Sequence, residues 1–588
     1  MLVLPGSKFI HLNSRPRLPR KIEKGVAQVY GQTLQKYGFA RNKCGLVTTL
    51  FDTVMDVPAF QEDGMFNVEK RPMEAGRIWD RLLEFKQSKN QMSRITLPRI
   101  KVVARALGFT KYKLPVPLPE EILGVECPND DAFPGVYYRF HGVKTKKEAW
   151  SAAVATSFIH LQRVLQDDVN IFDTVMTYGI GQREKPINFV NELLEGEALG
   201  SKMARIVMMP EAEEYAFSRP LQRALQDRIA VDPSSPLYIT GSYHGDRLQR
   251  LQKRFMQSKV LYCLDHKKHD ATVPRQIVEM SFRVLIHAFE PKDEGEAAIL
   301  AKWVLQARQW FVSKHVITPS GWVVKIDSGT PTGSIWTSII NSISTYIILH
   351  IVFSSLVNKA KGKLLPNPSD YFTIVASGDD SIVGMRVDDL DITIQQIKDA
   401  YARIVDMKVD DIDSIATVQF GSKFDERGEV EHKGVKFLGK YFDEEQEFVP
   451  RVPYSEIVPK MLWKRKNNSR CVWDDCDHVL SVGLDNPACP RTASLVRSVL
   501  MKSCKFASAA PIIDQFEYWR TRLKASLQGS GSMRAVLKNM AFQGGTGRLR
   551  YSDGKMRGSY VSLWKYLTDF GYVTMLNASN KAVTWPLT

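Results

Sequence analysis

The chain of 588 residues, 44% hydrophobic and 24% charged, reads as an ordinary soluble globular protein, too long for one simple core, so two or three packed subdomains are expected. Its net charge of +16 points to a polyanionic partner, either nucleic acid or an anionic membrane surface. The seven cysteines, scattered and odd in number, argue against a disulfide scaffold and suit a reducing compartment.

In chain order, MLVLPG is too short for a signal peptide and runs into basic, Pro-rich sequence. The arm that follows, with RPRLPRK, is expected to be extended because its prolines forbid a helix. A mixed, mostly helical region leads to LPVPLPEE at Leu114–Glu121, a Pro-rich punctuation, and helical patterns then alternate with basic loops. The strand KVLYCL (Lys259–Leu264) opens a central region that reads strand, long helix, loop, long helix, hairpin, helix. Its stretch Ser338–Val357 has no Asp, Glu, Lys or Arg and is long enough to span a bilayer. Asn341, His350 and many Ser and Thr within it favour a buried core helix, so no transmembrane segment is expected. The remainder is helix-rich, with one Gly-rich basic stretch, QGGTGRLRYSDGKMRGS. Cys471, Cys476, His478 and Cys489 cluster there but match no CxxC spacing, and ordinary thiols are preferred to a zinc site.

Three segments carry chemistry. In SGDDSIVG, Asp379 and Asp380 stand side by side at the tip of an apparent hairpin. Like charges repel, so a cation is expected there, and a divalent metal is the obvious one. In CLDHKKHDATVP, Asp265 ends the apolar strand and Asp270 follows shortly after; if the strands are neighbours, the carboxylates converge as oxygen ligands for Mg²⁺ or Mn²⁺. Alone, the Asp pair reads better as a surface pair capping a helix. In DSGTPTGSIWTSIINSI, Thr332-Gly333, Thr337 and Asn341 recur at four-residue steps and so share one helical face. A stripe of hydroxyl and amide suits hydrogen bonding to a sugar edge; a Ser/Thr-rich packing helix is the plainer reading.

The order D-x4-D, TG-x3-T-x3-N, GDD resembles motifs A, B and C of viral RNA-dependent RNA polymerases. GVKFLGKYF, with Phe437, Leu438 and Lys440, resembles motif E, and GSKMARIVMMP, with Lys202 and Arg205, resembles motif F. FPGVYYRFHGVKTKKEA (Phe133–Ala149), the D-x4-D-x2-VP arrangement and the SGDDS turn are similar to partitivirus polymerases, and picobirnaviruses share much of this. The resemblance spans Phe133 to Phe442. It departs from the family at His269, where a Phe commonly precedes the second Asp, and in having two residues rather than one between Lys202 and Arg205.

The resemblance implies an α+β right-hand fold with an antiparallel palm sheet. Fingers with the basic arm would take 1–258, palm 259–276, fingers again 277–325, palm 326–440, and the thumb with the C-terminal region 441–588. It implies RNA-templated nucleotidyl transfer by two Mg²⁺ or Mn²⁺ ions, replicating and transcribing a viral RNA genome. Asp265 and Asp379 would be the main metal ligands, assisted by Asp380. Asp270 and Asn341 would read the ribose 2′-hydroxyl together with Thr337 or the Thr332-Gly333 loop. Lys202 and Arg205 would meet the triphosphate. Lys408 or Lys423 would protonate pyrophosphate. Lys144, Lys146 and Lys147 would contact template phosphates, unless they form only a solvated loop, and Lys440 the product strand. Partners would be RNA template and nascent RNA, NTPs and a viral capsid protein, in the virion interior or host cytoplasm. The C-terminal aromatics Trp564, Tyr566, Tyr572 and Trp585 suit either an initiation platform or core packing. Two rivals stand beside this reading: a reverse transcriptase or other palm polymerase, and a non-catalytic, capsid-associated RNA-binding protein. Asn341 and Ser342 argue against the first and the intact aspartates against the second.

Overall fold

A computed structural model of the chain describes residues 95–183, 205–232, 247–318, 321–386, 392–410, 414–462 and 482–503, with shorter stretches between and beyond them. The basic arm, Lys202, Cys471, Cys476, the Gly-rich stretch and the four C-terminal aromatics lie outside the described residues.

The principal elements begin with strand β1 (Gln28–Gln32), helix α1 (Lys146–Leu165), strands β2 (Met176–Arg183) and β3 (Arg205–Pro210), and helices α2 (Ala212–Val231) and α3 (Arg247–Phe255). Then come strand β4 (Val260–Leu264), helices α4 (Arg275–Ile286) and α5 (Glu294–Val312), strands β5 (Lys314–Ile317) and β6 (Trp322–Ile326), and helix α6 (Thr337–Ala360). Strands β7 (Phe372–Ser377) and β8 (Asp380–Met385), helix α7 (Ile394–Ile404), strand β9 (Ile415–Thr417), strands β10 (Lys436–Phe437), β11 (Lys440–Asp443) and β12 (Val449–Arg451), and helix α8 (Pro490–Ser503) complete the set.

Two sheets organise the molecule. A five-stranded sheet runs β1-β6-β5-β2-β3, and a four-stranded antiparallel sheet runs β7-β8-β4-β9. The smaller sheet is apolar on both faces because side chains alternate along each strand. Tyr262, Leu264, Ile374, Ala376 and Val383 point into the main core with α6 and α7. Leu261, Cys263, Val375 and Ile382 point into a second core with α3 and the β10–β11 hairpin. The central strand β8, buried from Ser381 to Met385, therefore reads in sequence as a continuous apolar run rather than an alternating one.

Helix α6 is long and apolar enough to cross a bilayer, but 78% of its most apolar window is buried inside the protein. It is apolar all round because it is the central core helix, with α4, α7 and β7 packed on it. The sequence reading took the run before α6 as a loop. The structure makes KHVITPSGWVVKI an antiparallel pair, β5–β6, which joins the larger sheet through the parallel β2–β5 contact. Gly321, at φ 89°, stands between the two strands and donates its amide to the Thr318 carbonyl at 2.8 Å.

Candidate active site

The Asp265 and Asp379–Asp380 carboxylates come together through strand pairing. Ser381 of β8 stands opposite Leu264 of β4, so continuing that register by one residue places Asp380 opposite Asp265. Asp380 is pushed up to about 7, first by burial and then by the charges of Asp379 and Asp265, against the lowering influence of Lys436 and Arg205. These are hard oxygen donors, crowded enough that two of them raise the proton affinity of Asp380, and as a donor set they suit Mg²⁺ or Mn²⁺. Among the described residues no three His, Cys, Asp or Glu side chains already stand together as a finished metal centre. Asp265 is itself held from below. Its amide donates to Ser414 Oγ at 3.0 Å, and its carbonyl accepts the Asp410 amide at 2.8 Å.

The turn between β7 and β8 is clamped by α6. Ser342 Oγ accepts the Gly378 amide at 2.7 Å, and Thr345 Oγ1 donates to the Gly378 carbonyl at 2.7 Å. Two buried histidines of the Asp265 segment brace the same turn. His266 Nδ1 lies 3.0 Å from the Asp379 carbonyl and its Nε2 2.9 Å from the Tyr401 hydroxyl of α7. His269 Nε2 lies 2.9 Å from Thr345 Oγ1. Burial keeps both rings neutral: it lowers the basicity of His266 and takes His269 to about 3. The histidine at 269 thus has a polar partner that an aromatic hydrocarbon would lack. Sequence reasoning did not find Thr345 or His266; an isolated Thr or His on an apolar run gives no local signal.

Beside the carboxylates, Asn341 Nδ2 donates to Asp270 Oδ1 at 2.8 Å and Thr330 Oγ1 donates to the same oxygen at 3.2 Å. Asp270 is raised to about 6 by burial and the nearby Asp379 charge. Asp270 and Asn341, the two candidate ribose contacts, are therefore joined to each other. Thr332, Gly333 and Thr337 are engaged otherwise. Thr332 Oγ1 accepts the Met208 amide of β3 at 3.2 Å and donates to the Ile206 carbonyl at 3.4 Å, while the Gly333 amide donates to Met208 O at 2.9 Å. A Cβ at Gly333 would lie 2.4 Å from Met208 O, so the glycine is needed for this close approach. Thr332-Gly333 docks the motif B turn onto β3. Thr337 Oγ1 donates to Pro331 O at 2.5 Å and Ser334 O at 2.9 Å, closing its own turn.

The predicted basic residues separate into different situations. Arg205 is exposed at the start of β3, and its charge reaches Asp270 and Asp380. Lys440 Nζ is committed to Asp485, at 2.8 Å from both its carboxylate and its carbonyl, so it ties the β10–β11 hairpin to the segment before α8. Lys436, two residues before Leu438 and not singled out in the sequence, is the hairpin lysine whose charge acts on Asp380. Lys144 is exposed, Lys147 pairs with Asp130 at 3.0 Å, and Lys146 lies over the Tyr215 ring at 5.6 Å, within range of Glu211, Glu213 and Glu214. Lys408 and Lys423 are both exposed; the Lys408 carbonyl accepts the Lys267 amide at 2.9 Å, while Lys423 sits in a separate two-stranded pair. His478 Nε2 lies 2.9 Å from the Lys460 carbonyl and Arg451 reaches Cys489 at 3.6 Å.

A carboxylate-tipped hairpin in an antiparallel sheet, backed by a helix that carries an Asn toward a second carboxylate, is the palm of a right-hand polymerase. Residues 239–497 match the model of the family described as viral RNA-dependent RNA polymerase. Among solved structures, the Sicinivirus 3Dpol RNA-dependent RNA polymerase superposes with a TM-score of 0.57 at 14% identity, covering 88% of this chain and 99% of that one. At that identity the likeness is one of fold. With the family match, it makes this enzyme an RNA-directed RNA polymerase, a nucleotidyltransferase.

Proposed function

We propose that the protein extends RNA on an RNA template: the nascent 3′-hydroxyl attacks the α-phosphate of an NTP and pyrophosphate leaves. The observation that carries this is the register that sets Asp380 opposite Asp265, with the Asp270–Asn341 pair alongside. Asp265, Asp379 and Asp380 are the residues that would hold two Mg²⁺ or Mn²⁺ ions. Bound there, such ions supply Lewis-acid stabilisation of the attacking and leaving oxygens. The chain's own residues do the positioning. Ser342, Thr345 and His266 fix the Asp379 turn, Arg205 faces the triphosphate with Lys202, and Asp270 with Asn341 contacts the ribose. Lys408, whose backbone adjoins the Asp265 segment, is favoured over Lys423 as the acid that protonates pyrophosphate.

In this reading the larger sheet and its helices are fingers, the four-stranded sheet is palm, and the chain from 441 onward is thumb. The segment Phe133–Ala149 and the SGDDS turn support a source among double-stranded RNA viruses of the partitivirus and picobirnavirus kind. There the enzyme would replicate and transcribe the genome, with capsid protein as a partner, in the virion interior or host cytoplasm. The test is template-dependent incorporation with each NTP and dNTP. Asp379→Asn is expected to lower kcat by about a thousandfold or more at any Mg²⁺ concentration, with RNA binding retained. Near-normal synthesis by that variant overturns the assignment.

A further inference from the structure

The first turn of α2 and the residue before it carry three buried carboxylates, Glu211, Glu213 and Glu214, which the proposed chemistry leaves unused. Buried carboxylates are costly unless hydrogen-bonded, so what each one holds is informative. Glu211 Oε1 accepts the amides of Val136 at 2.9 Å and Tyr137 at 3.1 Å. A Cβ on Gly135, at φ +125°, would lie 1.7 Å from Glu211 Oε2, so the Pro-Gly of FPGVYY is what lets this carboxylate in. Glu213 accepts the Tyr138 hydroxyl at 2.6 Å, and its carbonyl accepts Ser157 Oγ of α1 at 3.0 Å. Burial raises all three carboxyls, and the Lys146 charge acts on each in the opposite direction.

Glu214 reaches a different element. Its Oε1 accepts Ser334 Oγ at 2.5 Å, and its Oε2 faces the Ile335 amide at 3.4 Å. Ser334 Oγ accepts the Trp336 amide at 3.1 Å, and the Ser334 carbonyl accepts the Thr337 amide at 3.2 Å. Helix α6 has Trp336 at its N-cap position with no side-chain cap of its own. Amides at a helix start need outside acceptors. Ser334 meets part of that need with the Trp336 and Thr337 amides, and Glu214 of α2 holds Ser334 in place. One helical turn after Thr337 stands Asn341.

We propose that Glu214 is a positioning residue for sugar selection: through Ser334 it sets how α6 begins, and thereby where Asn341 stands against Asp270. This rests on the reading of Asn341 as a ribose contact. Because Glu211 and Glu214 share one rigid turn, the same brace fixes the start of α6 relative to the segment Val136–Tyr138, next to the basic loop.

The experiment is single-nucleotide incorporation by the full chain with matched NTP and dNTP, comparing Ser334→Ala, Glu214→Ala, the double variant, Glu214→Gln and Asn341→Ala. Losing one buried hydrogen bond is worth on the order of 1 kcal/mol, so each of the first two variants should lower the NTP-to-dNTP ratio of kcat/KM about fivefold. The double variant should fall no further than the worse single one, because one linkage is being cut twice. Glu214→Gln, which keeps an acceptor for Ser334, should recover part of the ratio. Amide exchange at 335–337 should quicken in Glu214→Ala. If Asn341→Ala lowers the ratio while folded Ser334→Ala and Glu214→Ala leave it unchanged, the positioning role is overturned and the sugar reading stands. If Asn341→Ala leaves it unchanged, both are overturned. Should Glu214→Ala fail to fold, Ser334→Ala decides alone.

Discussion

The Asn341 amide is spent on Asp270 at 2.8 Å, while Asn341 Oδ1 is buried with no hydrogen-bond partner among the described residues. A buried orphan acceptor costs about 1–3 kcal/mol unless something donates to it, and a ribose 2′-hydroxyl is a suitable donor. Asn341→Ala should therefore harm NTP use more than dNTP use. The ratio of their kcat/KM values should fall on the order of tenfold, since a site built around a hydroxyl discriminates through its own unpaired groups. Equal losses with both substrates would make Asn341 a packing residue and favour the reverse-transcriptase alternative.

The clamp on the Asp379 turn makes a second prediction. Thr345 Oγ1 bridges the Gly378 carbonyl and His269 Nε2. Thr345→Val keeps the shape and removes both bonds, leaving two buried polar atoms unsatisfied at about 1–3 kcal/mol each. In single-turnover assays the chemical step should slow by roughly 10- to 100-fold with little change in KM, because the loss falls on the placement of Asp379 rather than on NTP contacts. A variant with wild-type kcat and only a lowered Tm would make the clamp purely structural.

The parts of this site that were legible in sequence are those where chemistry forces an unusual local pattern. Two adjacent aspartates, or hydroxyl and amide groups at helical spacing, each have a plainer reading alone, and only their order along one chain makes a site legible. That β4 and β8 are neighbours, which brings Asp380 toward Asp265, is a condition the sequence left open and the strand pairing supplies. The β5–β6 hairpin was missed because a short apolar run interrupted by Ser-Gly carries no clear period. Thr332-Gly333 was assigned to the sugar because its docking partner, Met208, lies over a hundred residues away in sequence. Lys440 and Lys436 sit on one hairpin, and composition could not tell which is paired with Asp485.

The basic loop should show unequal contributions to RNA binding. Lys144 is exposed, Lys147 already pairs with Asp130, and Lys146 is turned toward the buried glutamates. Each phosphate contact on a single strand contributes about 0.7 to the slope of log K against log salt. Lys144→Ala should flatten the slope by up to that amount, and Lys146→Ala should leave it nearly unchanged while lowering Tm. The reverse pattern in salt titrations with a short RNA would place Lys146, not Lys144, on the backbone.

Glu214 should contribute a loss of stability as pH rises through the weakly acidic range. Burial raises its carboxyl from 4.5 to about 7, despite the hydrogen bonds from Ser334 and Ile335 and the Lys146 charge, which act the other way. A raised carboxylate reverses the usual sign. Between those two values the unfolded chain has released the proton and the folded chain still holds it, so folding is progressively disfavoured as pH increases. The contribution is fully favourable below the unfolded value, is lost by the folded value, and is flat above it. At 1.36 kcal/mol per pKa unit the whole change is at most about 3.4 kcal/mol. Glu211 and Glu213 are also raised by burial, so they add slopes of the same sign. Glu214→Gln has no proton to lose and retains the acceptor for Ser334. In denaturant titrations it should therefore gain stability relative to the native chain as pH is raised across this window, with the difference levelling off near neutrality. A pH-independent difference between the two would mean that Glu214 is ionised throughout and that Lys146 neutralises it fully.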